Sequence, residues 1–286
     1  MGREEPLTPF TRIYIDTSIN FQKNKSFIRN GKRFKIMSFK KNDIVLLLSK
    51  DSSYLVNVQE GKFQTKDGII NLSELFKKNY GDKIKTHLGK EFLLARVTLN
   101  DLFEKVVERT AQVVLPKDAS LILAYTGIPS NSVVVDCGSG SGYLAIFLGW
   151  YLPKGEVISY EVRKDFWKVA KENVRSSGLK NVKLKMKDVR KGIDEKNVDL
   201  VTIDMKNPEK IVPHAYNSLK IGGFLAVYSP TIEEVIRVNK EIRKKGFSYI
   251  KTIENIVREW QVEKTTRPKN IGLVHTGWLT FARKVS

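Results

Sequence analysis

The sequence predicts an α/β fold. Residues 99–286 should form a parallel β-sheet with helices on both faces, preceded by a small β-rich, barrel-like domain over residues 32–98 and a basic extension over residues 1–31. Three observations predict it. Beyond Asn131, short apolar runs alternate with amphipathic stretches of helical period, the βαβα order that builds a parallel sheet. Between Lys32 and Thr98, short β-rich runs recur about every ten residues with turn signals between them, as in small barrels and sandwiches. The first 31 residues have no clear period.

In the small domain the strand candidates are Ile44–Leu48, Ser53–Val58, Lys62–Thr65, Ile69–Asn71 and Glu91–Arg96, with turns at Glu60-Gly61 and Asp67-Gly68. The period changes near Leu99. Leu102, Val106, Val107, Thr110 and Val114 recur at helical spacing, and Pro116 is expected to stop that pattern. Further strand candidates are Val133–Asp136, Val157–Glu161, Val182–Met186, Val198–Asp204 and Gly223–Tyr228. Helices are expected over Lys164–Ser177, Glu209–Leu219 and Ile232–Lys245. Tyr249–Val257 and Leu273–Ala282 have no convincing helix between them and read as an antiparallel pair at the sheet edge.

Composition narrows the function. At 41% hydrophobic and 28% charged residues, the chain has enough apolar content to bury a core, which excludes disorder as its main state. No stretch reaches the roughly 18 apolar residues of a membrane helix, and the start, Met-Gly-Arg-Glu-Glu-Pro, lacks the features of a signal peptide; the expectation is a soluble, cytoplasmic protein. A single cysteine, Cys137, excludes a disulfide framework and any cysteine-based zinc site, and no metal is expected. Lys and Arg number 50 against 31 Asp and Glu, a formal charge of +19. Eight bases, Lys23, Lys25, Arg29, Lys32, Arg33, Lys35, Lys40 and Lys41, fall between Gln22 and Lys41 with no acid among them, interleaved with Phe27, Phe34 and Phe39. That pattern points to a polyanion, since each base that neutralises a phosphate releases counterions.

The chemistry should lie at the carboxyl ends of the strands. Val133-Val-Val-Asp136-Cys-Gly138-Ser-Gly140-Ser-Gly142 runs from a strand into a glycine-rich turn that opens a helix. A dinucleotide fingerprint needs a third glycine where Tyr143 stands, and there is no Gly-Lys-Ser/Thr phosphate loop. The Gly-x-Gly-x-Gly spacing suits a ligand that puts an amino-acid moiety, as S-adenosylmethionine does, where a dinucleotide puts pyrophosphate. Asp136, Glu161, Asp188 and Asp204 stand at the ends of successive strands, where open α/β sheets bind ligands. Glu161, 161 − 142 = 19 residues past the last glycine, can accept ribose hydroxyls, and Asp188 an adenine amino group.

Two further blocks carry a resemblance. Arg109-Thr-Ala-Gln112-Val-Val-Leu-Pro116-Lys117-Asp118 and Arg267-Pro268 with His275-Thr-Gly-Trp-Leu-Thr-Phe-Ala-Arg283-Lys284 are similar to segments of the tRNA (adenine-N1)-methyltransferases that act on a T-loop adenosine, the archaeal and bacterial homotetrameric type. The resemblance spans about Asp43 to Lys284. It implies a Rossmann-like S-adenosylmethionine-dependent methyltransferase sheet, a tRNA substrate methylated at position 58, alone or with 57, and a homotetramer. It also implies cofactor contacts at Gln112, Gly138, Ser139, Gly140, Ser141, Gly142, Glu161 and Asp188. Ile203-Asp204-Met-Lys-Asn207-Pro208 matches the family motif whose aspartate is catalytic, and Tyr228 matches a tyrosine of the target-base pocket. Lys32 and Arg33, within the basic stretch, would grip tRNA phosphates.

The sequence departs from that family at Asn207 and Glu209, where an acid and an aromatic are usual, and at Glu233 or Glu234, near where a glutamine is usual. Rival readings are a catalytically silent tRNA-binding subunit and a methyltransferase for another RNA base. DNA amino-methylation is disfavoured because Asn207-Pro208-Glu209-Lys210 lacks the second proline and the aromatic. His87 and His275 read as a surface-loop and a structural histidine.

Overall fold

Strand-forming runs between Asp43 and Arg96 pair partly with their neighbours across short turns and partly at long range, the first run with the last, and a 3₁₀ helix over Leu72–Lys77 interrupts them. In the computed structural model, which describes residues 38–110, 112–263, 265–269 and 277–286, these runs are β1 (Ile44–Leu48), β2 (Ser53–Asn57), β3 (Lys62–Thr65), β4 (Gly68–Asn71), β5 (Lys83–Lys85) and β6 (Glu91–Ala95). They make an antiparallel sheet in the order β2-β1-β6-β5 and a separate β3-β4 hairpin. Val45, Leu47, Val56, Phe92 and Leu94 from the sheet share one core with Ile70 from the hairpin and with Leu72 and Leu75 of the 3₁₀ helix that follows it. The short β5 was missing from the sequence reading: with one apolar residue, Ile84, in three, it offers no period to detect.

Helix α1 (Leu99–Lys105) starts at a capping box in which Thr98 and Asp101 bond each other's backbone N–H groups. It buries Leu99, Leu102 and Phe103, and its Lys105 Nζ donates to the Ser53 carbonyl at 3.2 Å. The first compact unit therefore continues past Thr98, ends at Val107 and takes in Arg175–Gly178; the second comprises Glu108–Val174 and Leu179–Ser286.

The second unit opens with a correction. Pro116 does not stop a helix but begins one: α2 (Pro116–Thr126) has it at the first position, where a missing N–H costs nothing because it would be unpaired anyway. Of the periodic residues before it only Leu102 lies in α1, and Val107, Thr110 and Val114 lie in chain without regular secondary structure. The sheet then follows the expected order: β7 (Val133–Cys137), α3 (Tyr143–Tyr151), β8 (Glu156–Glu161), α4 (Lys164–Ser177), β9 (Val182–Met186), β10 (Val198–Ile203), α5 (Val212–Ser218), β11 (Leu219–Ser229), α6 (Ile232–Lys244) and β12 (Ser248–Glu254). The two-residue strands β13 (Trp260–Gln261) and β14 (Arg267–Pro268) pair with each other, and β15 (Trp278–Arg283) completes the sheet.

Seven strands lie in the order β12-β15-β11-β10-β7-β8-β9. Five, from β11 to β9, are parallel, and β15 runs antiparallel to both β11 and β12. The expected antiparallel pair at the edge is present. The central parallel strands β7, β8 and β10 are buried and read as near-continuous apolar runs, as strands covered on both faces must, whereas the edge strand β9 alternates apolar residues with lysine. Val135, Cys137, Val201, Ile203, Leu225 and Val227 pack on one face with Val212, Ala215, Val238 and Ile242 of α5 and α6. The alternate residues Asp136, Thr202 and Tyr228 point to the other face. The chain reverses its direction of progress across the sheet between β7 and β10, so a crevice opens at the carboxyl ends of those two strands. Among the described residues no helix is long and apolar enough to cross a membrane.

Candidate active site

The glycine turn sits at that crevice. The N–H groups of Gly138 and Ser139 both donate to the Tyr160 carbonyl, at 3.0 and 2.9 Å, turning the chain away from β7. Gly138 has φ +102, and a Cβ there would stand 2.2 Å from the Asp204 carbonyl oxygen, so only glycine lets the two strand ends meet. The Asp204 N–H in turn donates to the Cys137 carbonyl at 2.9 Å. Gly140 has φ +53 and no atom within 4 Å of where its Cβ would be: its surface faces open space.

A buried polar network holds the floor of the turn. Asp136, Ser159 and Thr202 are register partners on three neighbouring strands and share a face. The Asp136 carboxylate accepts from the Ser159 hydroxyl at 2.6 Å and the Thr202 hydroxyl at 2.8 Å, and Ser139 bonds Ser159 at 2.5 Å. Full burial, opposed by those two hydroxyl bonds, pushes the Asp136 carboxyl up to about 6. Asp136 is therefore a strut beneath the turn, and the Ser139 hydroxyl is occupied within the protein. Cys137 is wholly buried, and burial pushes its thiol well up, which leaves it inert as a nucleophile.

Glu161, at the end of β8, is buried. One carboxylate oxygen accepts from the Gly140 N–H at 3.0 Å, and the other from Val162 N–H and Arg163 N–H, both at 2.9 Å. A carboxylate offers about four lone-pair sites. Three are used within the protein, one of them by the glycine turn, so the capacity left fits one further hydroxyl, where the sequence suggested a pair. The Ser141 hydroxyl is buried without a partner among the described residues, while its carbonyl accepts from Asn173 at 2.8 Å. An open Gly140 surface, an orphaned hydroxyl and a carboxylate with spare acceptor capacity form a donor set suited to the amino-acid and ribose parts of S-adenosylmethionine.

Two expected cofactor contacts are otherwise engaged. Asp188 caps the short 3₁₀ turn 189–191 and forms a two-pronged ion pair with Arg190, both bonds 2.9 Å, which holds its carboxyl below the usual range. Gln112 bonds the Tyr228 hydroxyl, which also accepts from the Gly277 backbone. Tyr228, at the end of β11, is buried; a Cβ at Gly277 would lie 2.3 Å from its ring. Nearby, Lys117 and Asp118 pair at 2.8 Å, and Lys117 donates to the Asn255 carbonyl at 2.8 Å. Lys117, Asp118 and Gly277 fall within the two blocks that carry the resemblance but were given no role from sequence, because Asn255 and Tyr228, which they meet, lie far away in the chain. Lys32 and Arg33, the rest of residues 1–37 and His275 lie outside the described residues. His87 is an exposed loop residue whose Nδ1 accepts from the Ile69 N–H at 2.8 Å.

Asp204 follows β10, within the same crevice as the glycine turn. Its carboxylate forms no hydrogen bond or ion pair with another described residue. Burial first, then the negative charges of Asp136 and Glu234, push it up to about 7. A carboxylate so placed is unusual: the fold desolvates it and surrounds it with acids but supplies no donor. It can accept a hydrogen bond from a ligand and stabilise positive charge that develops on it.

The family model described as the tRNA methyltransferase complex GCD14 subunit matches residues 92–276. The tRNA (adenine(57)-N(1)/adenine(58)-N(1))-methyltransferase TrmI of Methanocaldococcus jannaschii is 33% identical over 268 residues, spanning 84% of this chain and 94% of that one. Among solved structures, a SAM-dependent O-methyltransferase from Thermotoga maritima superposes with a TM-score of 0.73 at 32% identity, over 87% of this chain and 96% of that one. The tRNA (m1A58) methyltransferase TrmI from Aquifex aeolicus superposes at 0.68 with 26% identity, over 87% and 99%. These proteins are matched over nearly their whole length, and the solved ones share the overall fold. With the family model spanning the whole of that crevice, the chain belongs to the tRNA methyltransferase complex GCD14 subunit family.

Proposed function

We propose that this protein transfers a methyl group from S-adenosylmethionine to N1 of an adenosine in the tRNA T-loop. The observation that carries this reading is the unpartnered Asp204 carboxylate beside the glycine turn, in a chain similar to an enzyme named for adenine-N1 methylation at tRNA positions 57 and 58. Bound S-adenosylmethionine supplies an electrophilic methyl group on a positively charged sulfur. Glu161 orients the ribose through its spare acceptor capacity, and the Gly140 surface admits the amino-acid end. Asp204 accepts a hydrogen bond from the N6 amino group of the flipped-out base. That makes N1 a better nucleophile, and the same carboxylate holds the positive charge the base gains as the N1–carbon bond forms and the sulfur–carbon bond breaks. No proton has to leave during transfer and no covalent bond to the protein forms. Tyr228, fixed by Gln112 and Gly277, forms one wall for the extruded base. The basic stretch with Lys32 and Arg33 grips phosphates of the folded tRNA.

We extend the reading to a homotetramer working in the cytoplasm, as the family resemblance and the tRNA substrate suggest. A hydroxyl acceptor is the alternative that the description of the Thermotoga structure favours. Position-mapped mass spectrometry of nucleosides from tRNA treated with the protein and S-adenosylmethionine decides between them. The expected product is 1-methyladenosine in the T-loop; ribose methylation, or no methylated nucleoside at all, overturns the proposal.

A further inference from the structure

Helix α4 buries a polar side chain that the proposed reaction does not use. Asparagine is a poor residue for a helix interior, and a carboxamide taken out of water costs free energy unless its hydrogen bonds are met. Asn173 is 3% exposed, and it meets them outside its own helix. Its Oδ1 accepts from the Glu108 N–H at 3.0 Å, and its Nδ2 donates to the Glu108 carbonyl and to the Ser141 carbonyl, both at 2.8 Å. One side chain thus binds both backbone groups of Glu108, as a neighbouring strand would, and also the glycine turn.

The packing around it is as specific. Ala170, one helical turn before Asn173, lies against Gly142, where a Cβ would stand 3.4 Å from the Ala170 Cα and Cβ at φ +80. The Gly142 N–H closes the turn on the Ser139 carbonyl at 2.6 Å. Next to Glu108, the Arg109 guanidinium sits 5.2 Å from the centre of the Tyr143 ring and 3.4 Å from its hydroxyl. Residues 108–109 are therefore fastened to the chain before and after Gly142, to Ser141 through Asn173 and to Tyr143 directly. Glu161 holds the same turn one residue earlier, at the Gly140 N–H. The Ser141 hydroxyl, on the residue whose carbonyl Asn173 holds, is buried with no hydrogen-bond partner among the described residues.

We propose that Asn173 is a positioning residue for the amino-acid end of S-adenosylmethionine: by clamping Ser141 to residues 108–109 it fixes the part of the turn that meets that end, as Glu161 fixes the part that meets the ribose. The inference rests on the proposed cofactor for its purpose, not for its geometry. Holding the Ser141 carbonyl sets the direction of the free hydroxyl on the same residue. A turn held in its binding shape before the ligand arrives has less ordering left to lose when the ligand binds. Asn173 acts through Ser141, so its effect should fall on cofactor binding and spare the transfer step.

The experiment compares two ligands of the full-length protein by calorimetry: S-adenosylmethionine, and 5′-methylthioadenosine, which keeps the adenosine and the sulfur but lacks the amino-acid end. N173A should weaken S-adenosylmethionine roughly tenfold and leave 5′-methylthioadenosine within about twofold. N173D keeps the volume and the acceptor for the Glu108 N–H but sets a carboxylate oxygen against two carbonyls. It should weaken S-adenosylmethionine at least as much, and it carries the test if N173A does not fold. In methyl transfer to tRNA by N173A, KM for S-adenosylmethionine should rise about tenfold while kcat stays within about threefold. In the ligand-free protein, amide hydrogen exchange should show the Glu108 N–H losing protection in N173A and keeping it in N173D. Equal weakening of the two ligands, or of neither, would overturn the positioning, and unchanged Glu108 exchange in N173A would overturn the clamp. An unaltered chain that binds neither ligand rejects the proposed function and with it the positioning role, a failure set apart by the Glu108 exchange, which reads the clamp without ligand.

Discussion

Glu161 and Asp204 end two strands of one sheet at the same edge, yet the fold treats them in opposite ways. Glu161 receives three backbone N–H groups and in return shapes the glycine turn. Asp204 is desolvated beside Asp136 and Glu234 and receives none. The first arrangement stabilises the protein; the second costs stability. The glycine-turn side of the crevice is braced from within, whereas the Asp204 side keeps a carboxylate with no donor among the described residues, which the proposed function assigns to the target base. Stability given up at a functional carboxylate is the usual trade between folding and activity.

Four substitutions break or sharpen that contrast. Gly138→Ala strikes both halves, because its Cβ would enter the Asp204 carbonyl at a positive φ; we expect a loss of about 3 kcal/mol or more in chemical denaturation and no measurable cofactor binding. Glu161→Ala should cost about 2–3 kcal/mol by orphaning three N–H groups, and weaken S-adenosylmethionine at least about tenfold by calorimetry. Asp204→Asn should do the reverse. Its folded carboxyl titrates near 7, above the ordinary 3.8, so the folded state binds the extra proton between those values, and the carboxyl's contribution to stability falls as pH rises through that window. The variant should match the unaltered protein near pH 4 and exceed it by about 4 kcal/mol at pH 8, read as denaturation free energy against pH. The smallest effect is expected for Tyr228→Phe, which leaves the Gln112 and Gly277 donors without their acceptor: about 1 kcal/mol in stability, with KM for tRNA rising more than kcat falls.

The parallel sheet and the acids at its edge were legible because both are local signals: a buried strand is a short apolar run, and a strand-end acid follows it directly. Helix Lys164–Ser177 and strand Val182–Met186 fall where periodicity puts them. What stayed hidden depends on which strands lie side by side. The Ser159–Asp136–Thr202 network needs the order β8-β7-β10, and the bond from Gln112 to Tyr228 joins residues far apart in sequence. Pro116 misled because the first position of a helix and the end of one both favour proline. Asp188 was expected to face a ligand, but Arg190, two residues on, claims both of its oxygens. Proximity in sequence gave no clue to that geometry.

Asp204 is a carboxylate costly to the fold, and the proposed function makes it the group the chemistry needs. The most direct measurement is the single-turnover rate of methyl transfer to tRNA by Asp204→Asn at pH 8, with S-adenosylmethionine saturating. A folded, more stable variant whose rate falls by roughly 10²–10⁴ is the predicted result. A rate within about threefold of the unaltered protein's would contradict it, and the catalytic role would have to pass to another group in the crevice.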